Sequence, residues 1–225
     1  MTIVKKFVAP ALPVPPLEYD QREQTDLIRT LRLYFNLLDE YLKDVTASLN
    51  GQGVGIIFPH IAASDSTDQV AGGNNTPTVI NFNTLDSGYE WTLNAPGSAI
   101  SDYSGVYKIT YSIQFINTAN AVHYATVWLK VNNSDIPNSA TIFAIPARKS
   151  ASPGEEGYLA AYSEITFEIN AGDEIELYWA TDLAGNPTTP TDGVYLFHDV
   201  VQTTPYARPA IPSVIGSITY VSSST

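Results

Sequence analysis

From Ile28 to Leu49 the apolar residues Ile28, Leu31, Phe35, Leu38, Leu42, Val45 and Leu49 step by 3, 4, 3, 4, 3 and 4. That is a heptad repeat with both seam positions filled, and it asks for another helix rather than a sheet. Leu27, Tyr34 and Tyr41 stand beside the seam and widen it beyond what a two-stranded coil needs. The width suits three or more helices, or one helix laid on other protein. Asp20 followed by Glu23 has the spacing of a capping box, and Gly51 fits a left-handed C-terminal cap. The pattern therefore predicts one helix over 20–50, about 45 Å long at 1.5 Å per residue. Two readings follow: an oligomerisation stalk, or a core helix inside one globular domain.

What precedes the helix favours the stalk. Residues 1–19 carry Pro10, Pro13, Pro15 and Pro16, which fix φ and remove backbone donors, so the segment reads as extended. Phe7, Leu12, Val14 and Tyr19 are nonetheless apolar, more than a solvated linker needs. An extended apolar arm ahead of a helix suits a docking peptide that orders on its partner, with Phe7, Pro10, Pro13, Pro15, Pro16 and Tyr19 as the contacts. The alternative is a terminus packed on its own domain. Prolines interrupt any apolar stretch behind Lys5 and Lys6, so no secretory leader is read there.

Charge divides with the chain. Residues 1–50 hold 6 Lys/Arg against 7 Asp/Glu, whereas 51–225 hold 5 against 16, a net of −11 within the total of −12. An acidic body repels phosphate backbones and anionic lipid, which argues against nucleic-acid and membrane partners. Cysteine is absent, so no disulfide, thiolate ligand or thiol nucleophile exists in this chain.

After Gly51 the period changes to two. Tyr107, Ile109, Tyr111, Ile113 and Phe115 alternate with Lys108, Thr110, Ser112 and Gln114, predicting a half-buried strand over 105–118. A second is expected over 121–131, with Ala125, Val127 and Leu129 on one face and Tyr124, Trp128 and Lys130 on the other. Further strands are expected over 139–145, 158–161, 165–169, 174–180, 193–201 and 214–221, with weaker ones over 54–62, 78–82 and 89–93. The polar links 64–77, 146–157, 181–193 and 202–212 should be surface loops. So many short strands fit a sandwich or jelly roll.

Reactive chemistry is sparse. Glu174 and Glu176 share a strand face with Tyr178 and read as a solvated surface rather than a glycosidase pair, and Glu155–Glu156 reads as a turn. His60, His123 and His198 lack metal-ligand spacing. Asp182, Asn186 and Asp192 crowd one loop with oxygen ligands, where turn chemistry competes with a calcium ion. No catalytic residue, metal or cofactor is expected, and a depolymerase is the weakest alternative.

The segments GVYKITYSIQF (105–115), ATVWLKVNNSDIPNS (125–139) and AGDEIELYW (171–179) resemble the jelly-roll heads of the tumour-necrosis-factor and complement globular-domain superfamily. ARPAIPSVIGSITYV (207–221) and LPVPPLEYDQREQTDLIRTLRLYFNLLDEYL (12–42) are similar to virion proteins of tailed bacteriophages. The resemblance implies a homotrimer of ten-stranded β-sandwiches on a particle surface. The chain is accordingly expected to be mainly β: a jelly-roll β-sandwich over 51–225 behind a Pro-rich arm (1–19) and one coiled-coil-like helix (20–50). Its expected role is a non-enzymatic fibre, appendage or capsid-decoration protein of the virion, docked by its arm on capsid, portal, neck or tail proteins. Trimer closure would also cover outward aromatics such as Tyr124 and Trp128. The alternative is a module that binds a receptor or host-surface glycan.

Overall fold

The computed structural model describes residues 21–49, 57–94, 96–150, 152, 155–189 and 191–224. The arm 1–19 and its proposed contacts lie outside the described residues, as do both proposed helix caps, Asp20 and Gly51. The chain divides into two units, a helical one ending at Ile57 and a β unit, Phe58–Thr225.

Helix α1 spans Gln21–Leu49, where the heptads predict it. No Pro or Gly interrupts this stretch, and Leu, Arg, Lys, Gln and Glu, which lose little rotamer freedom in a helix, supply much of it. An exposed Asp39–Lys43 ion pair at 2.6 Å joins successive turns.

Thirteen strands, numbered in chain order, form two antiparallel sheets among the described residues. The first sheet contains β1 (His60–Asp65), β3 (Thr84–Tyr89), β6 (Gly105–Asn117), β10 (Gly157–Ile169), β12 (Val194–Leu196) and β13 (Val214–Ser222). Its order is β10-β6-β13-β1-β3, with β12 also on β6. The second contains β2 (Thr78–Val79), β4 (Trp91–Asn94), β5 (Ser98–Ser101), β7 (His123–Val131), β8 (Ser134–Asp135), β9 (Thr141–Ile145) and β11 (Glu174–Thr181). Its order is β4-β5-β11-β7-β8, with β2 on β11 and β9 on β7. The molecule is mainly β, its strands forming a jelly-roll sandwich.

Alternation decides what each strand buries. Tyr107, Ile109, Tyr111, Ile113 and Phe115 of β6 face inward, against Ala125, Val127 and Leu129 of β7 and Ile175, Leu177 and Trp179 of β11. Phe115 lies 5.8 Å from Trp179, and Tyr107 meets Trp91 and Tyr220 edge-on at 5.2 and 5.5 Å. Each such ring removes roughly 150–250 Å² from water, so these few side chains dominate the core energetics. Polar groups inside are bonded where the chain crosses itself. Gln69 donates to the Asn81 carbonyl at 3.0 Å and to Ser213 Oγ at 3.2 Å, and its side-chain oxygen accepts the Asn81 N–H at 2.8 Å.

Several boundaries differ from the sequence expectation. The two strands expected over 158–161 and 165–169 are one: Tyr162, Ser163 and Glu164 pair with Ser112, Tyr111 and Thr110 without a break. Polar residues interrupted the hydrophobicity there but not the alternation. The strand expected over 193–201 keeps only Val194–Leu196, because beyond it Asp199 turns to pair with Ile211. The expected strand over 89–93 is split, since Glu90 adopts φ +57° between β3 and β4. The one expected over 54–62 starts, among the described residues, at His60 and runs on to Asp65, and that over 78–82 shrinks to Thr78–Val79. The strand Ser98–Ser101 was not foreseen, being too short and too small-residued to show a pattern.

Strand directions place the long links together. β1 starts at His60, opposite Thr219, and ends at Asp65, opposite Val214; β6 ends at Asn117, opposite Gly157, and β11 ends at Thr181, opposite Ala125. The strand ends that bound the links 64–77, 146–157, 181–193 and 202–212 therefore gather at the end of the sandwich away from Pro59.

Candidate functional site

The seam is the first candidate. Ile28, Phe35 and Leu42, one heptad apart, are 47%, 58% and 53% exposed, while Leu31 and Leu38 are half-buried. Val45 and Leu49 continue the helix, with side chains outside the described set. Leu27, Tyr34 and Tyr41 beside the seam are also half-buried, and Tyr34 meets Phe35 edge-on at 5.6 Å. Leu33 and Leu37, which the heptads assign to the outer side, are 56% and 58% exposed. Sequence reasoning passed over this outward pair because it falls outside the repeat.

The outer face of the first sheet is the second candidate. Tyr158 and Tyr162 of β10 and Ile215 and Val221 of β13 are exposed there, flanking small polar residues of β6. Tyr162, Ser112 and Ile215 form one row across three strands, and Thr110 shares a 2.7 Å hydroxyl hydrogen bond with Ser217. Tyr158 donates to Glu156 at 3.1 Å, and burial together with that carboxylate pushes its phenol up to about 12. Tyr195 nearby is likewise raised to about 12, by burial and then by Asp68 and Glu156.

The outer face of the second sheet carries the aromatics expected to point outward. Trp128 of β7 is paired with Tyr178 of β11, their ring centroids 6.0 Å apart. Trp128 donates its ring N–H to Asp135 at 2.8 Å, and the Lys130 ammonium sits 4.4 Å over the Tyr178 ring. Tyr124 and Ile142 extend the face, 52% and 69% exposed. Glu176 lies in the next row opposite Lys130; burial and then Glu174 raise its carboxyl, and Lys130 opposes them.

Two of the histidines singled out in the sequence, His60 and His123, are held apart. His60 contacts the Phe58 carbonyl and Ser87 at one end of the sandwich, while His123 meets Asp182 at 3.1 Å at the other. Burial alone would raise Asp182, but the Tyr124 N–H and His123 outweigh it and hold the carboxyl low. Within the loop considered for calcium, Asp182 is thus engaged by Tyr124 and His123, Asn186 accepts the Thr188 N–H, and Asp192 pairs with Arg148. Among the described residues, no group of three or more His, Cys, Asp or Glu side chains could hold a metal ion. No described helix is long and apolar enough to cross a membrane.

No family model and no curated protein matches the chain. Solved structures do: the Eiger tumour necrosis factor of S. frugiperda aligns at 17% identity and a TM-score of 0.42, over 74% of this chain and 96% of that one. The globular domain of zebrafish complement 1qA protein aligns at 10% identity and a TM-score of 0.42, over 74% and 99%.

Proposed function

We propose that the protein is a non-enzymatic assembly and display component that works as a homotrimer, its helix gathering three copies and its sandwich forming the displayed head. The observation that carries this reading is the exposure of Ile28, Phe35 and Leu42 at one point of every heptad. Apolar side chains repeated at that interval gain most when facing helices bury them, and the apolar flank at Leu27, Tyr34 and Tyr41 suits three helices better than two. The Tyr158, Tyr162, Ile215 and Val221 face gives the head a second surface able to close around a symmetry axis.

The finer reading is a surface component of a tailed-bacteriophage particle, docked through residues 1–19 on capsid, portal, neck or tail proteins. Its support is the sequence resemblance described above. Three linked heads would give such an appendage multivalent attachment.

Light scattering on the full chain tests the assembly: a mass near three times 24.4 kDa agrees, and 24.4 kDa at micromolar concentration refutes it. For the particle, a variant lacking residues 1–19 should stay folded yet be missing from purified virions. Full occupancy without the arm would refute the docking role.

A further inference from the structure

We propose that the outer face of the second sheet is a carbohydrate-binding platform for a neutral oligosaccharide. Trp128 and Tyr124 stack on sugar rings, Tyr178 braces Trp128 from beneath Lys130, and Lys130, Asp135 and Glu176 bond the hydroxyls. The inference does not depend on how many copies assemble.

Three observations converge on a sugar. First, the rings are fixed before any ligand arrives. Asp135 holds the Trp128 ring N–H at 2.8 Å, Lys130 sits 4.4 Å over Tyr178, and the two rings lie 6.0 Å apart at 36°. Fixed rings lose little conformational entropy on binding, which is what a weakly interacting ligand such as a glycan needs.

Second, the face interleaves aromatics with charge. Lys130 sits 3.7 Å from Asp135 and lies opposite Glu176 across the strand pair. A second copy or an apolar protein surface laid over this face would bury those charges at its centre, where interfaces are depleted of them. A sugar presents C–H faces to the rings and hydroxyls that both donate to carboxylates and accept from the ammonium. Sites of this mixed kind, aromatic walls with a few placed polar groups, suit small polar ligands.

Third, charge and length narrow the class. The carboxylates at 135 and 176, on a chain of net charge −12, repel acidic sugars and leave neutral ones. Tyr124 lies four residues along the strand from Trp128, roughly 13 Å at 3.3 Å per residue. That span exceeds one sugar ring, so the ligand is an oligosaccharide.

The chain carries its own reporter. Of its three tryptophans, Trp91 and Trp179 are buried (6% and 0% exposed), and Trp128 is half-buried on the outer face. Titrating the full-length protein with neutral cello-, malto-, manno- and chitin-oligosaccharides should change tryptophan emission with at least one of them, and a polygalacturonate oligomer should leave it unchanged. Binding by calorimetry should fall at least about tenfold in Trp128→Ala and in Tyr124→Ala. Thr166→Ala, exposed on the outer side of the first sheet, should bind as the parent does, and circular dichroism checks that each variant is folded. No response to any neutral member, a preference for the acidic oligomer, or undiminished binding in folded Trp128→Ala overturns the proposal. So does a Trp128 that acrylamide cannot quench in the native assembly, since a neighbouring copy would then occupy the face. A protein that fails to trimerise but binds glycan through Trp128 sustains this inference while refuting the assembly reading.

Discussion

Replacing Phe35 with alanine tests the seam most directly, because alanine removes apolar area without harming the helix. Phe35 is 58% exposed in the single chain. With about 200 Å² for a phenylalanine, that leaves close to 115 Å² for a partner to bury, or about 2.5 kcal/mol at ~25 cal/mol per Å² once the retained Cβ is discounted. Three copies lose this together, so the trimer is weakened by roughly 7.5 kcal/mol, between five and six powers of ten in its dissociation constant. The midpoint concentration of a monomer–trimer equilibrium scales as the square root of that constant, so it should rise several hundredfold. Leu33→Ala is the matched control. Leu33 is 56% exposed but stands on the outer side of the helix, so its variant should leave the midpoint unmoved. Sedimentation equilibrium over a wide range of loading concentrations reads both. Equal shifts in the two variants would show that the heptads do not define the contact, and the reasoning would fail.

Three further perturbations probe the head. Gly157→Ala places a methyl group 1.8 Å from the Pro146 carbonyl oxygen, so the backbone must move and the head should lose at least about 2–3 kcal/mol, read as a lower urea midpoint. Between the sheets, Ile61, Ala63, Phe82, Leu93, Ala99 and Ile109 line an apolar cavity of about 50 Å³. Ala63→Val should fill part of it and stabilise the head by up to ~1 kcal/mol, about 2–4 °C in Tm, whereas Ala161→Val, buried but not lining the cavity, should destabilise. The Tyr195 phenol, raised from 10.0 to about 12, is favoured protonated by the fold. Its contribution should therefore be whole below about pH 10 and lost as pH climbs towards 12, a slope that Tyr195→Phe should reduce in urea titrations at stepped alkaline pH.

Local periodicity carried much of the fold in plain view. The 3-4 spacing from Ile28 to Leu49 specified a helix, and alternation through Tyr107–Phe115 and Ala125–Leu129 named residues of the core. It failed where a strand is read without its neighbours. The continuity of β10 through Ser163 and Glu164 comes from pairing with β6, and the end of β12 comes from the turn that joins Asp199 to Ile211.

The candidate surfaces divide in the same way. That Tyr124, Trp128 and Tyr178 point outward follows from the two-residue period, which belongs to the chain alone. That Trp128 lies beside Tyr178, with Lys130 over one ring and Asp135 holding the other, depends on the register between strands 50 residues apart in sequence. The same holds for Gln69 reaching Asn81 and Ser213. Which face a residue takes is decided by the geometry of its own backbone. Which residue stands next to it is decided by how distant strands pair to bury the whole core, so only the folded molecule holds that answer.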